Sequence, residues 1–230
     1  MRILNSLALT TALVATMATA ALAEGAATIT VTGEGVVQTQ PDQATISLGV
    51  TTNGTTAAEA LSGNSASLNM VLDRLKAAGV ADADLQTSNL SLSPNWTGYD
   101  SGSTPSIAGY IATNMLDVRV RDLAALGTIL DAAVTDGANT MNGITFGLAE
   151  PTPVMNEART KAVADAKARA EVLAAAAGGT LGKLVSLSEM GVYPGPAPMF
   201  RQDAESAAVP IQSGQIGMTS SVTVIYEIAQ

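Results

Sequence analysis

Apolar and polar residues alternate over residues 27–33, a period of two that predicts a strand. The step Gly33-Glu34-Gly35 is expected to break or bulge it. Residues 36–40 resume an extended course, and Pro41-Asp42 marks a turn. Residues 44–50 alternate again and predict a second strand. Thr56 and Glu59 then stand at capping-box spacing. Leu61, Leu68, Val71, Leu72 and Leu75 follow at helical intervals as far as Gly79, with Gly63 and Asn64 weakening the first half. A third strand is expected over residues 85–92, a protruding polar loop over 94–107, and a fourth strand over 110–120. Leu123, Leu126, Leu130 and Val134 predict a short helix ended by Gly137. Residues 142–148 form a fifth strand.

The longest periodic stretch is residues 152–177. Thr152 suits an N-cap and Pro153 the first helical position, where its missing N–H is no loss. Gly178 and Gly179 can take the left-handed conformation that ends a helix. Met155, Ala162, Val163, Ala166, Ala170, Leu173, Ala174 and Ala177 fall on one arc. Charges fill the rest, with Glu157–Lys161 and Asp165–Arg169 at i,i+4 spacing, acid first. An arc of methyl groups buries little area, so this helix must gain its stability from close approach. Large residues at Ala166 or Ala170 should overpack it by roughly 1–3 kcal/mol. Arg159 is the odd member of that arc. It reads as a stem-buried arginine whose head reaches water or a carboxylate, or else as a buried interface ion pair. A sixth strand over 184–190, a proline-rich loop over 193–214 and a final strand over 218–229 complete the chain.

The order β-β-α-β-β-α-β-α-β-β predicts an α+β fold of mixed, largely antiparallel sheets covered by three helices. The helix-glycine-strand unit recurs three times, which points to a structural duplication, with subdomains of about 24–120 and 121–230.

Met1-Arg2, the apolar run of residues 7–22 and the small-x-small step Ala21-Leu22-Ala23 read as a secretory signal peptide over residues 1–23, leaving one domain over 24–230. Twenty acidic residues stand against 11 basic ones, a net charge of −9, which argues against a nucleic-acid partner. No transmembrane segment is expected after cleavage. The chain has no cysteine and no histidine. That removes disulfides, thiol and Ser-His-Asp catalysis, histidine-ligated haem and ordinary zinc sites. No catalytic residue, cofactor or metal is therefore assigned. Asp82-Ala-Asp84 reads as a helix-to-strand turn rather than a calcium ligand pair. Asp117 and Arg119 share one face of a strand, where a lateral ion pair or a salt link to a neighbouring strand is the ordinary reading. With one Trp and four Tyr, an aromatic-lined sugar cleft has little material.

Trp96 and Tyr99 in the first long loop, with Met199, Phe200 and Arg201 in the second, are the types that anchor interfaces. They are the candidate contact residues. Gly33, Gly35, Pro41, Asp42, Arg159, Ala166, Ala170, Gly178 and Gly182 are assigned structural roles.

An ordered set of short stretches resembles the SIMPL-domain family of exported bacterial proteins. These are residues 29–35 (Ile-Thr-Val-Thr-Gly-Glu-Gly) with 41–50; Leu85-Gln86-Thr87 with 92–94; 109–114 with 118–123; and 137–139 with 143–146. Glu157-Ala158-Arg159, the recurring alanines, Leu181-Gly182, Glu189, Pro210-Ile211 and Gly214 belong to the same pattern. Thr113 and Trp96 depart from it, where serine and tyrosine are usual. The resemblance implies a periplasmic or envelope-associated protein like that family's periplasmic immunogenic antigens and oxidative-stress defence proteins. Outer-membrane association is a further option. Some members form large hollow homo-oligomers, and the family supplies no catalytic residues to carry over. Three functions are thus in view. The first is a non-enzymatic protein that assembles with itself, or meets an envelope protein, in support of stress tolerance. The second is a binding module for a peptide or small molecule. The third is a carboxylate-based hydrolase.

Overall fold

The computed structural model describes residues 27–98, 104–190 and 211–229. Among these, seven strands and three α-helices follow the expected order. They are β1 (Thr28–Thr39), β2 (Gln43–Gly54), α1 (Ala57–Ala77), β3 (Leu85–Thr97), β4 (Ser106–Val120), α2 (Leu126–Thr135), β5 (Thr140–Gly147), α3 (Thr152–Ala176), β6 (Thr180–Met190) and β7 (Ile216–Ala229). The fold is α+β. Every strand pair is antiparallel, in two sheets ordered β3-β4-β2-β5 and β1-β7-β6.

The four-stranded sheet carries the larger core. Ile46, Leu48 and Val50 of β2 and Leu116, Val118 and Val120 of β4 point at Val71 and Leu75 of α1 and at Leu126, Ile129 and Leu130 of α2. A 3-10 turn, Leu123–Ala125, leads into α2, so the helix starts later than its leucine pattern suggests. The capping box of α1 forms with its return bonds one residue earlier, on Thr55 rather than on the cap residue Thr56. Thr56 Oγ1 accepts the Glu59 N–H at 3.1 Å, and the Glu59 carboxylate takes the Thr55 hydroxyl at 2.6 Å and the Thr55 N–H at 3.0 Å. The Thr55 hydroxyl is the main reason the Glu59 carboxyl titrates below its ordinary value. Thr56→Ala should cost about 1 kcal/mol, read as a lower urea midpoint at unchanged m-value. Asn64, which weakens the helix in sequence, is fully buried. Its amide donates to Val50 O at 2.7 Å and Ala112 O at 3.1 Å, tying α1 across two strands.

The three-stranded sheet packs on α3. The buried stripe of that helix is Met155 followed by Ala158, Ala162, Ala166, Ala170 and Ala174, one residue every four. Ala158 was absent from the predicted arc, whereas Leu173 (49 % exposed) and Ala177 of that arc lie open. The helix begins at Thr152 itself, with Pro151 as its cap, and runs to Ala176, with Gly178 at a φ of +81° just beyond its C-cap. Both expected i,i+4 pairs are present, Glu157–Lys161 at 2.9 Å and Asp165–Arg169 at 2.9 Å.

Gly33 and Gly35 do not bulge the strand. β1 runs through them and pairs with β7 from Thr28↔Glu227 to Thr39↔Ile216 without a slip. The glycines are there because α3 rests on them. A Cβ at Gly33 would meet Ala162 O, Ala166 N and, at 2.6 Å, Ala166 Cβ; one at Gly35 would meet Ala158 O and, at 2.5 Å, Ala162 N. A strand glycine serves close backbone approach as well as bulges, and here the former holds. Gly182 plays a similar part against β7, where a Cβ would come within 2.8 Å of Glu227 O.

The two sheets meet the same short stretch of chain. Pro41 is buried. Asp42 N–H donates to Gly147 O at 3.1 Å, and Asp42 Oδ1 accepts the Ala149 N–H at 2.7 Å. The β1–β2 turn is thereby fastened to the link from β5 to α3.

Candidate functional site

The hairpin of β3 and β4 takes in both ends of the loop expected over 94–107, residues 94–97 and 106–107. Pro94 and Trp96 lie within β3, opposite Tyr110 and Ile107 of β4. Proline is tolerated because β3 is an edge strand and one side of its backbone needs no partner. Trp96 is 44 % exposed, and Leu90, Leu92 and Ile107 lie open on the same hairpin. Tyr99, Met199, Phe200 and Arg201 lie outside the described residues, as does most of the expected loop at 193–214 and the whole of the signal segment.

A second open apolar strip was not singled out from the sequence. Leu184, Val185, Leu187 and Met190 of β6 are all about half exposed. α3 sits over β1 and β7, and its core contacts are Val31, Val222, Val224 and Tyr226. β6 therefore projects beyond the helix. In sequence, apolar residues on both sides of a strand normally signal burial on both faces, which is why this strip reads as core until the topology is seen.

Beside that strip, Arg159 Nε donates to Glu189 Oε1 at 2.7 Å and Arg159 Nη1 to Asn156 Oδ1 at 2.9 Å. Ser220 Oγ, buried, donates to the same Glu189 oxygen at 3.3 Å. The Arg159 and Glu189 side chains are 41 % and 36 % exposed, so this is a half-solvated clamp between α3 and β6.

Among the described residues the most enclosed carboxylate is Asp84, which closes a 3-10 turn before β3. Arg121 grips it with two hydrogen bonds of 2.8 Å, and Arg119 stands 3.7 Å away. The Arg121 hydrogen bonds hold the Asp84 carboxyl below its ordinary value against the cost of burial, with both guanidinium charges adding to the effect. Arg119 thus makes its salt link to this turn. Asp82 instead pairs with Lys76 at 2.8 Å. Among the described residues, no group of three or more His, Cys, Asp or Glu is placed to hold a metal ion, and no helix is long and apolar enough to cross a membrane.

Three surface cavities stand out among the described residues. One of about 600 Å³ lies between β1 and α3, lined by Val31, Thr32, Ala168, Arg169, Val172 and Leu173. One of about 480 Å³ lies between α2 and β5. The third, about 520 Å³, adjoins Asp84, Arg119 and Arg121. The first is almost wholly apolar, and Arg169 at its rim is engaged by Asp165. Such a wall can receive an apolar side chain but offers no acid–base pair.

The sequence profile of SIMPL, described as a protein of unknown function (DUF541), matches residues 29–226. The chain is 40 % identical over 212 residues to the 26 kDa periplasmic immunogenic protein of Brucella melitensis, covering 88 % of this chain and 85 % of that one. It is 30 % identical over 173 residues to the uncharacterized protein YggE of Edwardsiella ictaluri, covering 75 % and 72 %. To YggE of Escherichia coli K12 it is 27 % identical over 205 residues, covering 87 % and 82 %. The matched span runs from β1 to β7 and includes both sheets, and the chain belongs to the SIMPL family.

Proposed function

We propose that this is a non-enzymatic protein of the periplasm that works by assembling with itself, in support of envelope or oxidative-stress tolerance. The observation that carries the reading is where the open apolar surface lies. Leu90, Leu92, Trp96 and Ile107 cluster on the β3–β4 hairpin, and Leu184, Val185, Leu187 and Met190 on β6. Contiguous exposed patches of this kind mark contact surfaces, whereas single exposed apolar residues are ordinary. The names of the Brucella relatives support the compartment. Light scattering on the mature chain tests the proposal. A molar mass several times that of one chain is expected at micromolar concentration, and a strict monomer across that range would remove the reading. The apolar cavity between β1 and α3 favours a second reading, a binding module for an extended peptide or small apolar molecule.

A further inference from the structure

Four strands lie at sheet edges: β3 and β5 in one sheet, β1 and β6 in the other. A free edge offers unpaired backbone N–H and C=O groups to any passing strand, and proteins blunt such edges with proline, bulges, charge, shortness or cover. Three of the four are blunted. β3 contains Pro94 and slips in register at Thr87/Asn89 and again at Asn95/Trp96. β5 has only 8 residues and meets an irregularity at Ser47/Leu48 of β2. β1 lies beneath α3, and Asp165 takes the free Glu34 N–H at 2.9 Å.

Among the described residues, β6 has no such protection over its second half. Its slips against β7 and its lysine, Lys183, fall before Ser186. From Ser186↔Ile225 to Met190↔Ser221 the pairing is continuous, and no proline or lysine interrupts it. Leu184, Val185, Leu187 and Met190 are 47–58 % exposed. The one charge, Glu189, is already taken by Arg159.

The geometry points to β6 as the edge through which two copies of this chain join, antiparallel, about a twofold axis through Leu187. This rests on the assembly reading above and names its surface. The segment is self-complementary in that register. Leu187 pairs with the core residue Val224 and so faces the α3 side, where it would meet Leu187 of the second copy. Ser186 would stand opposite Ser188 on the other face. An axis normal to the sheet merges two three-stranded sheets into six strands, with both α3 helices on the same side. Leu184 faces that side too, by its pairing with Tyr226, so the open leucines of both copies form one strip beside the helices. With the axis at Leu187, residues 184–190 of the two copies lie opposite one another, about 23 Å of paired strand. A second copy covers the apolar side chains of both strands at once, which a foreign peptide does for one only.

The absence of cysteine makes the test direct, because Leu187→Cys introduces the sole thiol. Directly opposed Cα atoms in an antiparallel pair lie about 4.5–5.5 Å apart, inside the roughly 4.4–6.8 Å span of a disulfide. Under mild oxidation at micromolar concentration, most Leu187→Cys chains should become covalent dimers, while Thr30→Cys on the outer face of β1 should not. Leu187→Lys should lower the scattering mass at least twofold with its circular-dichroism melt in place. Should Leu187→Lys fail to fold, the cysteine pair decides alone. If the wild type assembles but Leu187→Cys cross-links no better than Thr30→Cys, the β6 contact is wrong and the assembly reading stands. If the wild type is a monomer throughout, both fall together.

Discussion

Gly35→Ala will lower the thermal midpoint by roughly 6–12 °C. The added methyl meets Ala158 O and lies 2.5 Å from Ala162 N and 2.9 Å from Lys161 Cβ. Two of these three obstacles are backbone, so no rotamer change relieves them. The helix has to rise, and every alanine contact along its stripe then weakens, because dispersion falls steeply over the first ångström of separation. Overpacking of this kind costs about 3 kcal/mol, at the upper end of the usual range. For a chain of this size each kcal/mol moves the midpoint by about 2–4 °C. Ala166→Leu and Ala170→Leu press on the same interface and should cost about 1–3 kcal/mol, less because a side chain can turn aside. Gly63→Ala is the control: nothing lies within 4 Å of its Cβ position, and it sits inside α1, so it should stabilise by up to about 1 kcal/mol. Circular-dichroism melts of the four variants check the set. A Gly35→Ala melt within 2 °C or so of wild type would show that α3 is not seated on β1 as described.

Asp84→Ala should cost about 2–3 kcal/mol at neutral pH, read from urea unfolding. It deletes a buried carboxylate that accepts two charge-assisted hydrogen bonds from Arg121 and attracts Arg119. The two arginines remain half exposed and can turn to water, which keeps the loss below that of a fully buried pair. The same residue gives the wild type an acid-sensitive stability. Its folded carboxyl titrates below the ordinary value, so its contribution is present in full above the ordinary carboxylate range and is lost as pH falls through the folded value. Asp165, held down first by the Glu34 N–H and then by Arg169, and Glu59 act in the same direction from more exposed positions. Wild-type stability should therefore fall on acidification below the ordinary carboxylate range, and Asp84→Ala should flatten that slope. Parallel slopes for the two proteins would show that Asp84 does not supply it.

The order of elements was legible because its signals are local. Period-two alternation, the Thr56/Glu59 box and glycines after each helix act over a few residues, and all three survive in the structure. The misreadings have long-range causes. Gly33 and Gly35 look like a bulge from within β1, and what demands them is a helix backbone some 130 positions later, at Ala158, Ala162 and Ala166. Pro94 looks like the end of a strand until β3 is known to be an edge. Leu173 fits an apolar arc, yet the stripe of α3 keeps to every fourth residue because only alanine allows the helix to lie that close. β1 joins the last two strands, and β5 joins strands from before it. Of the contact residues chosen from sequence, Trp96 is placed on an open hairpin, while the β6 strip went unseen because exposure on both faces of a strand has no signature of its own.

The pairing of β1 with β7 sets a timetable. Among the described strands, the one that leaves the ribosome first lies, along all of its 12 residues, beside the one that leaves last. β2 to β5 are complete once Gly147 has emerged, and the fastening of Asp42 to Gly147 already closes that portion. β1 and β6 each reach the other only through β7, so they hold no common sheet before the final 14-residue strand arrives. A closure of such long sequence separation is slow. A chain cut before Ile216 loses the middle of one sheet rather than a fringe, which makes the arrival of β7 the step on which that sheet waits.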